Sequence, residues 1–569
     1  MVKKKKLSKK DKNPPREKIK KKPEKKELSP SFSQFIDEYI QILSYKKEAE
    51  VSPIHVDDLT SKIASFYEKI RMIIDWKEEH LIRRFAIERT LRRKMISQIS
   101  GISIISDLKA GKIAKPLVTE LIRKGHFEND KISKRRIKYV EKVLSKYIYI
   151  LQNSVPTRNA LSINIKSKVQ YYNWILSIAA CEIEEILKPA YFENALINFM
   201  THRIFERIKV KPGNIMNDER KFYQTYIAVH RALYNLDPPI IIYHLIKCHY
   251  PKWIEQPEVI LKSFSQKLED IYKYFEKELM YNKSGKFYGV CEQYDTVYLV
   301  IGDILTMVQK DTKSIKSKFE KLDSLEKLIK EVYDKRLSTL RRRLRRSAVF
   351  STLSIFLASS VSLFVIEVPI AKMFYGKFSI FALAMDIIVP TLFMFIFVAL
   401  IKLPKKSNFK RVLSEVKKVI YKRDEIDVYE IDLRRKKNFI KNIIFTLIFI
   451  IFGITSLLLI FMLFKFAGIP WTSMYIDTIN IAVIVFAALV VRQRAREMTV
   501  EESSNLFEFV LDLIAIPIAK IGQWFSMKWK EYNFVSVFFT ALVDTPFVKI
   551  LDVFEDWRNY LKEKKAGIH

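Results

Sequence analysis

Apolar residues recur at three-and-four spacing early in the chain: Ile63, Phe66, Tyr67, Ile70, Ile73 and Ile74 mark one stripe, continued by Leu81, Ile82, Ile87 and Leu91. That period puts successive apolar side chains on one side of a helix, where a strand would alternate. Ser52-Pro53 followed by Asp57 and Asp58 supplies a start signal, because proline is tolerated in a first turn and acids favour the positive end of the helix dipole. Similar stripes run through 137–150, 169–187, 191–208, 222–236 and 259–275, divided by breaks such as Lys211-Pro212-Gly213-Asn214 and Asp237-Pro238-Pro239. The pattern predicts an all-α body over residues 31–311, with room for two lobes meeting near Gly213.

Between 312 and 347 a narrow stripe of Ile315, Phe319, Leu322, Leu325, Leu328, Ile329 and Val332 runs through charged surroundings, predicting one juxtamembrane helix. Then the pattern changes. Residues 348–368, 379–401, 443–464 and 471–491 are apolar runs, each long enough to cross a hydrocarbon layer of about 30 Å at about 1.5 Å per residue. They predict a membrane domain of at least four spans over 348–491, with a polar loop over 402–438 between the second and third. Past the fourth, 506–521 carries Glu508, Asp512 and Pro517, and 534–551 is interrupted by Asp544-Thr545-Pro546. With Trp524, Lys528, Trp529, Lys530 and Tyr532 suited to the headgroup layer, 492–569 reads as cytoplasmic, interfacial or re-entrant amphipathic helices.

Charge orients this arrangement. The chain has 99 Lys+Arg against 63 Asp+Glu, a net +36, while 49% of it is hydrophobic, so basic and apolar material must occupy separate stretches. Arg341, Arg342, Arg343, Arg345 and Arg346 stop just before the first span, and Arg434, Arg435, Lys436 and Lys437 just before the third. Arg492, Arg494 and Arg496 follow the fourth on the same side, against only Lys372, Lys377 and Lys465 on the other. The positive-inside rule then predicts a plasma (inner) membrane protein with its body and both termini cytoplasmic, its basic clusters meeting the bilayer at anionic lipid headgroups. From Lys3 to Glu27 there are 14 basic and 4 acidic residues, with Pro14, Pro15 and Pro23, which makes 1–30 a disordered Lys-rich tail. Its charge serves solubility or an anionic leaflet. Nucleic acid ranks behind these, because the tail has one arginine and no aromatic ring before Phe32 for stacking.

Candidate chemistry is sparse. No two of the 12 glycines are two positions apart, so no Gly-rich phosphate cradle exists, and Gly285-Lys286 lacks the flanking residues of a phosphate loop. Cys181, Cys248 and Cys291 fit neither a disulfide framework nor a metal knuckle. His244 and Cys248 share a helical face at metal-ligand spacing, yet without a completing carboxylate they read as a core cysteine beside two partly exposed histidines, the second being His249. Glu182, Glu184 and Glu185 read as a solvated stripe. Inside the second span Asp386 stands one turn before Pro390, where an ionisable group marks either polar packing, with the serines of the first span as partners, or ion handling. Asp477 and Asn480 lie near the outer end of the fourth span and read as interface residues. With no catalytic, cofactor or metal motif in view, the expectation is a non-enzymatic scaffold or the membrane subunit of a larger assembly. It would engage a protein partner or a second copy through the body and the 402–438 loop; the alternative is a channel or small transporter using Asp386.

Overall fold

The computed structural model describes residues 26–48, 79–98, 108–154, 165–364 save 214, most of 368–531 in short stretches, and four isolated positions beyond. The chain is mostly helical and all-α in class. The body comprises α1 (Pro30–Glu48), α2 (Glu79–Gln98), α3 (Ala110–Arg123), α4 (Lys134–Asn153), α5 (Ile165–Leu187), α6 (Tyr191–Arg207), α7 (Asp218–Tyr234), α8 (Pro238–His249), α9 (Glu258–Gln266), α10 (Leu268–Leu279), α11 (Ser284–Val308) and α12 (Ile315–Glu320). The predicted start of a helix at 52–58 and the Lys-rich tail up to residue 25 lie outside the described residues.

Local chemistry sets the boundaries. The Asn217 side chain accepts the Arg220 backbone N–H at 3.1 Å, and Asp218 and Glu219 occupy the positive first turn of α7. Asn235, with φ 47°, closes that helix in the left-handed conformation, and Pro238 opens α8 where its missing N–H costs nothing. The stripe over 259–275 is two helices rather than one, α9 and α10, turning at Lys267.

One apolar cluster runs through the whole body, from Phe32 on α1 to Leu340 beyond α12. Helix α5 lies at its centre, packed by α2, α4 and α8, while α7 lies between α6 and α11. Into this core the chain inserts charge. Lys146 of α4 is buried and donates to both carboxylate oxygens of Glu182 on α5, at 2.6 and 2.8 Å. Tyr147 and Trp253 donate to the same carboxylate at 2.6 and 3.2 Å. Three side chains thus donate to one carboxylate, and Lys146 Nζ also reaches Trp253 O at 3.4 Å, which satisfies the pair's hydrogen bonding away from water. Burial pushes the Lys146 amine down, with Glu182 opposing it.

The 402–438 loop departs most from expectation. Its apolar stripe is α16 (Lys406–Ile420), which buries Val412, Val416 and Ile420 against α11 and α13 (Leu322–Ser362) of the same chain. Beyond it, β2 (Tyr429–Asp432) pairs in parallel with β1 (Ile208–Lys211), from Ile208 against Tyr429 to Lys211 against Asp432. This short strand interrupts a region whose sequence pattern is helical. Its residues begin by alternating, Ile208 buried and Lys209 exposed, a period of two too brief to stand out between helices. The N-terminal segment joins the same junction, with the Ser29 N–H donating to Ile420 O at 2.9 Å and the Lys26 N–H to Glu320 O at 3.0 Å.

Helix α13 is continuous over 41 residues. It begins after Lys321 rather than at Thr312, α12 forming a separate turn before it, and it passes the predicted boundary at Ser347 without a break. Neither glycine nor proline occurs from Leu322 to Ser362, so nothing in the sequence interrupts the helix. The remaining described elements are α14 (Val368–Tyr375), α15 (Ile380–Ala399), α17 (Phe439–Phe466), α18 (Trp471–Ala495) and α19 (Leu506–Glu531).

Glu182→Ala strands a buried ammonium and is expected to cost about 3–5 kcal/mol, whereas Lys146→Met with Glu182→Leu should recover most of that loss. Thermal melts of the detergent-solubilised protein check this: a double variant no more stable than the single one would show that the pair is not the origin of the effect.

Candidate membrane interface and buried polar sites

Along α13 the environment of the side chains changes. Leu325, Ile329, Val332 and Tyr333 are buried in the body core, while Val349, Phe350, Leu353, Phe356 and Leu357 are exposed apolar residues. Between these stretches lie Arg341, Arg342, Arg343, Arg345 and Arg346, all five of them exposed. Arg434 is also exposed and pairs with Asp432 at the end of β2, at 3.1 Å, while Arg435, Lys436 and Lys437 lie outside the described residues. A band of guanidinium groups followed by outward apolar residues is what a helix presents when it leaves water for lipid.

Among the described residues, two helices are long and apolar enough to cross a membrane, 443–466 and 509–527, and 384–397 is a shorter apolar helix. The first coincides with the predicted third span. The second lies where the sequence predicts a short interfacial helix, but α19 extends to Glu531, so Glu508 and Asp512 fall near its start and 513–530 is free of acids. Helix α19 runs against α18 in the opposite sense, Arg492 meeting Asp512 in an ion pair and Ala482 meeting Gly522. At Gly522 the two backbones approach so closely that a Cβ would overlap the Ala482 carbonyl, so glycine there permits the approach. Helix α19 crosses α17 where Gly453 faces Pro517, and Ser456 Oγ reaches Ile514 O at 3.2 Å in the turn preceding that proline.

Asp386 is 3% exposed on α15, and Asp477, which the sequence places at the interface, is 1% exposed on α18. These two helices pack on each other and on α13, so both carboxyls lie inside a helix bundle. The bundle joins the body at Asn408, whose side-chain amide donates to Tyr333 OH at 3.0 Å and to Met498 O at 2.5 Å.

In the body, the titratable residues distribute differently from expectation. Glu182 is buried in the lysine pair, Glu184 is buried against Arg83 at 3.0 Å, and Glu185 accepts Tyr243 OH at 2.6 Å and Lys247 Nζ at 2.9 Å. The three are not a solvated stripe, because α2, α4 and α8 surround α5 and each brings a donor. Burial pushes Glu184 up to about 7, with Arg83 pulling it down. The reading of His244 and Cys248 is reversed: Cys248 is exposed, and His244 is buried with its ring 5.1 Å from that of buried His230 on α7. His230 Nδ1 lies 2.8 Å from Tyr226 O and donates to it, while its Nε2 has no hydrogen-bond partner. Sequence spacing could not reveal His230, since only the α7–α8 packing brings it near. Among the described residues no group of three or more potential ligands could hold a metal ion.

No protein-family model, no curated protein and no solved structure matches this chain.

The histidine pair implies an acid sensitivity. Burial, followed by the charge of Lys247, lowers the His244 pKa to about 3, and burial holds His230 well below its ordinary value, with neighbouring His244 adding to the effect. Below about pH 6.5 the unfolded chain takes up protons that the folded one refuses, so stability falls with pH from that point towards 3, at about 1.4 kcal/mol per unit per histidine. Glu184 works in the opposite direction between its ordinary value and about 7, so the comparison must isolate the histidine. Between pH 6.5 and 5 the wild type is expected to lose about 2 kcal/mol more than His244→Gln, read from paired unfolding curves.

Proposed function

We propose that the chain is a multispanning membrane protein of at least four spans, with a cytoplasmic helical body, acting without catalysis as a scaffold or as the membrane subunit of a larger assembly. The observation that carries this reading is the continuity of α13, whose first half is built into the body core and whose second half turns apolar side chains outward beyond an arginine band. A helix cannot bend its backbone out of register without losing hydrogen bonds, so a load on the body is transmitted to the bundle. Helices α15 and α18, at 20 and 25 residues, pack against α13 and supply further spans beside α17. Helix α19 packs on α17 and α18 as a re-entrant element in this reading, which keeps both termini on the cytoplasmic side. The arginine band and Arg434 to Lys437 then meet anionic headgroups. Because α16 and β2 are already spent on the body, the surface left for a protein partner or a second copy is the body's own exterior.

Native Cys248 is an exposed reporter in the body, with Cys181 and Cys291 buried. A membrane-impermeant maleimide is expected to leave Cys248 unlabelled in intact cells and to label it after permeabilisation. Gly468→Cys, in the connection between α17 and α18, should label in intact cells. Labelling of Cys248 from outside, or protection of position 468, would overturn the topology.

The burial of Asp386 and Asp477 on adjacent helices favours a channel or small transporter as the second reading. Ion flux into vesicles reconstituted with the protein, abolished by Asp386→Asn, would replace the scaffold; absence of flux together with a stable co-purifying complex retains it.

A further inference from the structure

The excess positive charge of the body is concentrated in one part of it. Residues 79–153 contain 18 Lys+Arg and 7 Asp+Glu, whereas 154–334 contain 26 and 23, close to balance. The basic part is α2, α3 and α4, three helices that pack in succession, α3 touching both neighbours. Some of these cations are structural: Lys146 and Arg83 form the buried pairs described above, and Arg84 bonds Asp237 at 2.5 Å. Arg92 pairs with Glu88, and Arg136 donates to Leu187 O at 2.7 Å. Nine further cations on these helices are exposed: Arg89 and Arg93 on α2, Lys112, Lys115 and Arg123 on α3, and Lys134, Arg135, Lys138 and Lys142 on α4. Exposed acids on the same stretch are Glu128, Asp130 and Glu141.

Where α2 meets the end of α3, basic side chains crowd together. Glu120 receives Lys94 at 3.1 Å, Lys124 at 2.8 Å and Arg93 as well, with Arg123 alongside. Burial, and then the like charges of Arg93, Lys124 and Arg123, pushes the Lys94 amine down, which reports the crowding. Such a surface gains from a polyanion that releases counterions when it docks.

We propose that α2, α3 and α4 form a docking face for a nucleic-acid duplex, held through its phosphodiester backbone without reading its sequence. The chain's own bilayer is disfavoured as the occupant because, among the described residues, none of the three helices packs extensively against α13 or any later element. A single strand is disfavoured because, among the described residues, the face exposes two large rings, Phe85 and Tyr139, too few for a stacking platform. A duplex keeps its bases stacked and presents one charge per about 1.7 Å, so basic residues on three neighbouring helices can meet it without aromatic support. Arginine forks on α2 suit bidentate phosphate binding, with the α3 and α4 lysines as point charges. The proposal does not depend on the number of membrane spans, and it gives the body's exterior an occupant.

The test uses full-length protein in neutral detergent and a DNA duplex of about 15 base pairs, roughly 50 Å long at about 1.7 Å per charge with both strands counted, with binding read by fluorescence anisotropy across a salt series. The patch variant carries Lys112→Gln, Lys115→Gln, Lys134→Gln, Lys138→Gln and Lys142→Gln. The charge-matched control carries Lys262→Gln, Lys267→Gln, Lys277→Gln, Lys310→Gln and Lys313→Gln, exposed lysines elsewhere on the chain. The Lys-rich tail is intact in both and cancels. The patch variant is expected to bind at least about tenfold more weakly than the control at about 100 mM salt, with a log–log salt slope shallower by about 0.9 for each phosphate no longer neutralised. Equal losses in the two variants would overturn the proposal. So would a patch variant that keeps the duplex and loses polyglutamate or phosphatidylserine vesicles, outcomes that assign the face to an acidic protein or to lipid.

Discussion

The rest of the architecture depends on the unbroken hydrogen-bond ladder of α13. From Leu322 to Ser362 the backbone groups are satisfied within the helix, so the segment can pass from one environment to another without exposing peptide dipoles to lipid. What changes along it is side-chain chemistry alone: core residues of the body, then arginines, then outward apolar residues. Everything packed on the first part, including α11, α12 and α16, is therefore fixed relative to everything packed on the second, including α15 and α18. A glycine or proline anywhere between would have loosened that relation.

Two further constraints tie distant parts of the chain to this axis. The N-terminal segment at Ser29 and the end of α16 at Ile420 hydrogen-bond to each other, and β2 adds a strand to β1 from the middle of the body. A bond between residues 390 positions apart, from the Ser29 hydroxyl to Val419 O, thus helps close the body around α13. The body's interior is also unusually polar for a helical core. Lys146 with Glu182, Arg83 with Glu184, and His230 with His244 all lie among apolar neighbours. The first two are matched donor to acceptor, while the histidines are kept neutral by burial, so these sites make the fold's integrity depend on registration between helices rather than on apolar area alone.

Periodicity makes the helices of the body legible, since a three-and-four stripe has one geometric meaning. Net charge and its placement make the arginine band legible for the same kind of reason. Glu182, Glu184 and Glu185 mislead because exposure is the ordinary state of glutamate, and their donors come from α2, α4 and α8, distant in sequence. The 402–438 loop misleads because an amphipathic segment announces that it will bury an apolar face without announcing against what. The apolar face of α16 meets α11 and α13 of the same chain.

The sequence by itself determined the helical character of the body, the separation of apolar from basic stretches and the position of Asp386 within an apolar run, because each follows from the order of residues along one local segment. It missed the brief strands β1 and β2. Only tertiary structure decided that Asp477 is buried, that His230 joins His244, that Gly522 lets α18 and α19 touch, and that α3 packs on both α2 and α4. The physical reason is the same in each case. Burial, ring proximity, backbone approach and helix packing depend on distances between elements, and a one-dimensional pattern fixes the faces that must be covered without fixing which element covers them.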